Sequence, residues 1–208
     1  LSFFKFFILG CLTSLLYPPF FMLPLGFIIF PYFTILISNP SNQKSFFTFF
    51  FNGFLFGLGF LLIYLSWVRS PFLVYESTKA YAFLSILLPI FLSIFFGLGF
   101  VVYKYLVSKL HIILITPFVF ILIEFAISNF IYGFPWISNS LILSNNITGL
   151  YLIKYLGTIT SGYLIILLFL LPIIFSYFMD IKKYNKQLLI AYSPIILILL
   201  LPIFLPDK

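Results

Sequence analysis

The sequence predicts an all-α integral membrane protein: a bundle of about seven transmembrane helices whose first two form a short hairpin. Three observations predict it. Of the 208 residues, 63% are hydrophobic and 7% charged, and the mean hydropathy is +1.24. A soluble chain of this length has no interior large enough to hide so much apolar surface. The apolar runs are also long enough for helices, and they lack the strict alternation of a membrane β-barrel. The net charge of +7 comes from 11 basic residues scattered over short loops. Without a basic face or a recognition motif, no nucleic-acid partner is expected.

Seven apolar segments follow in order, at residues 3–17, 20–38, 46–68, 81–103, 112–131, 157–178 and 188–205, within a transmembrane helical domain of residues 1–205. The first is short of the roughly 20 residues a span needs. Pro18-Pro19 ends it and forces a tight turn into the second, which gives the hairpin. Gly53 and Gly57 form a GxxxG pair in the third segment, and Ser93 and Gly97 a small-xxx-small pair in the fourth. Small residues at this spacing let helix backbones approach closely in lipid. The string FGLGF occurs at residues 56–60 and again at 96–100. It reads as biased composition, because the topology sets the two copies at different depths.

Loop charges give an orientation. With the N-terminus cytoplasmic, Lys5, Lys44, Lys104, Lys109, Lys182, Lys183 and Lys186 fall inside, and Arg69, Lys79, Lys154 and Lys208 outside. That distribution agrees with the positive-inside rule and places the C-terminus outside. Two loops then lie on the outer face, about residues 69–80 and 132–156. They are the longest polar stretches, and long loops tend to carry function.

Few residues in the chain carry chemistry. Glu124 is the only acid within a predicted span. A carboxylate there costs a few kcal/mol, so it needs a partner or a task. It either fixes helix packing or acts directly. Trp136 sits just beyond the fifth segment, in Gly133-Phe134-Pro135-Trp136. Gly133 can close the helix with φ > 0 and Pro135 stops it continuing, which sets the indole at the membrane–water interface. Trp67 occupies the outer end of the third segment, and an aromatic-belt role suits both tryptophans. Arg69 beside it suits either a lipid phosphate or a place among headgroups. His111 has no second ligand nearby, so no metal is expected. Asn146-Ile147-Thr148 matches a glycosylation sequon.

Cys11 is the single cysteine, so no intramolecular disulfide can form. Lys5 and the run to Cys11 faintly resemble a lipoprotein signal, but the run is too short and Leu9 too bulky. The plain reading is a small thiol buried in the first helix. No nucleophile–base pair can be assembled from these residues. A small transporter or a structural membrane subunit therefore stands as the alternative, although a transporter usually needs several intramembrane polar groups.

The order of motifs resembles the membrane half of the apolipoprotein N-acyltransferases. Leu15-Leu16-Tyr17-Pro18-Pro19-Phe20 with Leu23-Pro24-Leu25 is similar to that family's first hairpin. The run 56–60 leading to Ser66-Trp67-Val68 is similar to its third helix, and Glu124 precedes Gly133-Phe134-Pro135-Trp136 at the family's spacing. Two positions depart from the pattern. Ile127 stands where the family usually has arginine, three residues after the glutamate. Ile137-Ser138-Asn139-Ser140-Leu141 lacks the Gly-Tyr that often follows the tryptophan.

The resemblance implies an enzyme that moves an acyl chain from a phospholipid donor to the N-terminal cysteine amine of an apolipoprotein acceptor, through a thioester. It places the catalytic Glu, Lys and Cys in a nitrilase-like domain after the seventh helix, so residues 206–208 read as the start of that outer-face domain. The sequence begins at Leu1 and stops at Lys208 just after an apolar segment, and a fragment is expected. No residue of this chain is expected to be catalytic, Cys11 included, and the chain alone is expected to be inactive. Glu124, Trp136, Phe134, Trp67 and Arg69 are the candidates for a lipid-facing cleft. No cofactor or metal is implied. The expected setting is the bacterial inner membrane, with the chain a monomer, its N-terminus cytoplasmic and its C-terminus periplasmic.

Overall fold

The computed structural model describes residues 2–38, 45–130 and 133–173, and every regular element among these is helical. The helices are α1 (Ser2–Ser14), α2 (Gly26–Ser38), α3 (Phe46–Tyr64), α4 (Glu76–Lys79), α5 (Leu87–Leu106), α6 (Ile112–Asn129) and α7 (Ile147–Phe169). Among the described residues four stretches are long and apolar enough to cross a membrane: Phe46–Tyr64, Ala82–Leu106, Ile112–Asn129 and Ile147–Phe169. Two shorter apolar helices, Phe3–Ser14 and Leu23–Ser38, precede them. The segment expected at 188–205 and the end of the one at 157–178 lie outside the described residues.

Side chains start three of these helices. Ser45 accepts from the Phe47 amide at 3.3 Å to open α3. His111 Nδ1 accepts from the Ile113 amide at 3.4 Å to open α6. Asn146 accepts from the Gly149 amide at 2.7 Å to open α7. Each satisfies an amide that the helix itself leaves free.

The centre of the bundle is a seam of α1, α3 and α5. A Cβ added at Gly10 would collide with the Phe56 carbonyl, and one at Gly59 with the Phe7 carbonyl, so α1 and α3 meet backbone to backbone. Across the other side of α3, a Cβ at Gly53 would strike the Phe96 carbonyl, and one at Gly97 would meet the Phe50 ring. The small pairs read from the sequence therefore lie in the α3–α5 contact. Phe33 of α2 plugs the middle, its ring 5.3–6.3 Å from Phe6, Phe56, Phe100, Tyr103 and Phe120 on four other helices.

Four expectations are corrected. The two FGLGF copies do not lie at different depths: Phe56 sits 5.6 Å from Phe100 and Phe60 sits 5.8 Å from Phe96. Antiparallel packing of α3 on α5 brings the strings level, and their glycines let the phenylalanines interlock. Helix α7 begins at Ile147, ten residues before Gly157, because Asn146 caps it there. Gly157 then interrupts it, with φ 79° and ψ 168°. The stretch around 69–80 is not an open loop but the 3₁₀ helix Ser66–Leu73, α4 and the 3₁₀ helix Ala82–Ile86. Cys11 is half-buried rather than buried.

Candidate functional site

Glu124 lies on α6, 6% exposed, and its partner is the segment that follows the Gly-Phe-Pro-Trp turn. The Ser138 hydroxyl donates to Oε1 at 2.8 Å. The Asn139 amide donates to Oε2 at 2.9 Å, and Asn139 Nδ2 donates to the same oxygen at 2.7 Å. Three donors on two oxygens suit an acceptor-only carboxylate, and they satisfy a group that would otherwise be costly to bury. Ile127, one turn along the same helix, is 1% exposed and packs in the apolar core, so the partners of Glu124 come from the loop.

Asn139 passes the connection on. Its Oδ1 accepts from the Tyr17 hydroxyl at 2.7 Å. The Tyr17 ring packs on Tyr64 at 5.2 Å, and the Tyr64 hydroxyl donates to the Trp136 carbonyl at 2.7 Å. Glu124, Asn139, Tyr17, Tyr64 and Trp136 thus form a closed circuit through α6, the turn after α1, α3 and the loop. A Cβ on Gly162 of α7 would stand 3.0 Å from Asn139 Cβ, so α7 clasps the segment from its other side.

The turn itself is fixed by its backbone. Gly133 has φ 72°, a conformation an L side chain rarely adopts, and donates to the Phe130 carbonyl at 2.8 Å. The Phe134 amide donates to the Ile127 carbonyl at 3.0 Å, and the half-buried Phe134 ring packs against the core. Trp136 is left 60% exposed and Trp67 48% exposed, with their rings 5.9 Å apart in an edge-to-face pair.

That pair joins the stretch after α3 to the loop after α6. On the α3–α5 side lies an open cavity of about 490 Å³, whose polar lining is Ser66, Arg69, Lys79 and Ser85. Lys79 also pairs with Glu76. Four of the sequence candidates, Glu124, Phe134, Trp136 and Trp67, therefore share one connected site, and Arg69 faces the adjoining cavity. Sequence reasoning missed Tyr17, Tyr64, Ser138, Asn139 and Lys79. The polar triplet Ser138-Asn139-Ser140, flanked by apolar residues, was the available signal for the clamp.

A comparison with curated proteins finds no match. A family model described as apolipoprotein N-acyltransferase N-terminal domain matches residues 9–171. The matched stretch runs from within α1 past the end of α7 and holds every residue of the circuit. The chain belongs to the family of apolipoprotein N-acyltransferase N-terminal domains.

Proposed function

We propose that this chain anchors an acyltransferase in the bacterial inner membrane and presents it with phospholipid, from which an acyl chain passes to the N-terminal amine of apolipoproteins. In this reading Trp67, Trp136 and Phe134 form the wall of a lipid-facing cleft at the outer leaflet. Arg69 receives the lipid phosphate, and Glu124 holds the wall in place. The chain crosses the membrane seven times as a monomer, begins with a short hairpin, and has its N-terminus cytoplasmic and its C-terminus periplasmic. Alone, it turns over no substrate.

The carrying observation is the Trp67–Trp136 pair, exposed beside a cavity lined by Arg69 and Lys79 and tied through the Trp136 carbonyl to the Glu124 circuit. Aromatic rings of this kind favour the membrane interface, and a guanidinium matches the geometry of a phosphate. Glu124 lends little support to a transport role, because loop donors occupy its carboxylate.

These are the only two tryptophans in the sequence, so fluorescence excited at the red edge, where the tyrosines do not absorb, reports on the proposed cleft alone. In vesicles, lipids brominated just below the headgroup should quench that fluorescence more than lipids brominated at the chain ends. Equal or reversed quenching would reject the interfacial cleft. The inactivity claim has its own test: acyl transfer to a lipoprotein N-terminus by the purified 208 residues would overturn it.

A further inference from the structure

Among the described residues, the buried serines and threonines of the α-helices bond a carbonyl one turn back, Ser14 and Thr34 three residues earlier and three others four, with one exception. Thr13, Ser93 and Thr116 each bond the carbonyl four residues earlier, at 2.7, 2.6 and 2.9 Å. This is the usual way for a serine or threonine to be satisfied inside a helix. Ser161 of α7 is 1% exposed and its Oγ has no hydrogen-bond partner. The four-residue bond is denied locally. The residue four positions earlier is Gly157, whose ψ of 168° is far from the helical value of about −42°, so its carbonyl does not point down the helix.

Ser161 lines a cavity of about 70 Å³ at the elbow of the broken helix, so a rotation about χ1 would turn its hydroxyl into that space. Leu143 and Leu152 line it from the loop side and the first half of α7, and Leu164, Ile165 and Leu168 from the second half. A buried water needs two to four polar partners, and these walls offer one. The matching ligand has a single acceptor on an apolar body. The elbow beside the cavity is exposed: Ile159 is 47% exposed, and a Cβ built on Gly157 would have nothing within 4 Å. Ser161 lies four residues past the elbow, about 6 Å along the axis at 1.5 Å per residue. If the elbow marks the membrane surface, that depth is the headgroup–acyl boundary, where lipid esters reside.

We propose that this cavity binds the ester end of a glycerolipid acyl chain, with Ser161 donating its hydroxyl hydrogen to the ester carbonyl and the first methylenes lying among Leu164, Ile165 and Leu168. The site requires a membrane around the bundle and not the acyl-transfer reading, so its test reads lipid retention rather than transfer.

The chain would be extracted from vesicles holding equal amounts of a diester phosphatidylcholine and its diether analogue, which lacks the carbonyls. Retained lipid would be counted by native mass spectrometry. The unaltered chain should retain the diester over the diether by roughly fivefold, the scale of one net hydrogen bond. Ser161→Ala should equalise the two, and Ser161→Thr should keep the preference. Leu164→Phe, which fills the cavity, should lower retention of both. Equal retention by the unaltered chain overturns the proposal. So does a diester preference that survives Ser161→Ala, or unchanged retention in Leu164→Phe.

Discussion

Where α3 meets α1 and α5, the close contacts are glycine backbone against phenylalanine: Gly10 and Gly59 on one side, Gly53 and Gly97 on the other. Where α6 meets the loop that follows it, the chain is held instead by three hydrogen bonds to one carboxylate and a fourth to Tyr17. The seam is tolerant of chemistry and intolerant of volume, since hydrocarbon surrounds it and van der Waals contact is what drives helix association in lipid. The clamp is the reverse. Space around it can relax, but a lost acceptor strands buried donors. One region sets the shape of the bundle; the other sets where a single loop stands upon it.

Enlarging a seam glycine should produce the largest effect. Gly59→Leu would push against the Phe7 carbonyl, which belongs to backbone and cannot rotate away. A loss of roughly 3–5 kcal/mol is expected, in the range of severe overpacking. Unfolding in detergent followed by circular dichroism would measure it, and a loss under 1 kcal/mol would show that α1 is not held as described.

Next in size is the clamp. Asn139→Ala removes the Nδ2 donor to Glu124, leaves the backbone amide in place, and strands the Tyr17 hydroxyl; about 2–4 kcal/mol should be lost. Glu124→Gln should cost only about 1 kcal/mol. Its amide oxygen can accept from both Asn139 donors, while its NH₂ faces Ser138, whose hydroxyl can turn to accept. The same unfolding measurement separates them. If Glu124→Gln proved as damaging as Asn139→Ala, the negative charge itself would be the essential element, and the clamp would have to be redrawn around it.

The contrast also explains what was legible beforehand. Glu124, Trp67 and Trp136 stood out because acids and tryptophans are rare in a chain that is 7% charged and has two tryptophans. Their partners did not. Tyr17 meets Asn139 across 122 residues of sequence, a distance over which no local pattern reports. Asn139 itself sits in a polar triplet that reads as a solvated loop until Phe120, Glu124 and Gly162 are seen to enclose it. The segment start read at residue 157 falls on the Gly157 break; the helical residues 147–156 ahead of it read as loop because Gly149 and Lys154 interrupt their apolar run. The helix-forming seam was half visible: small-residue spacing marked the faces of α3 and α5, but the level pairing of the two FGLGF strings follows only from which helix lies antiparallel to which.

The smallest expected effect lies away from both regions, at the start of α6, and it sharpens the comparison by using a polar contact that is only half-buried. His111 caps the helix by accepting from the Ile113 amide, which requires a neutral Nδ1. Burial lowers its pKa below the ordinary value near 6.5. The folded state therefore releases the proton more readily than the unfolded one, and the cap's contribution is complete above about pH 6.5. As pH falls below that value, protons bind the unfolded chain first and stability declines; it levels off only once the folded histidine is also charged. A charged imidazole at this position also faces the positive end of the helix dipole, which works in the same direction. Thermal unfolding at pH 7.5 and pH 5.5 should show a small loss at the lower pH, and His111→Asn, a capping residue that does not titrate, should remove it. An equal loss in that variant would assign the pH dependence to groups other than this cap.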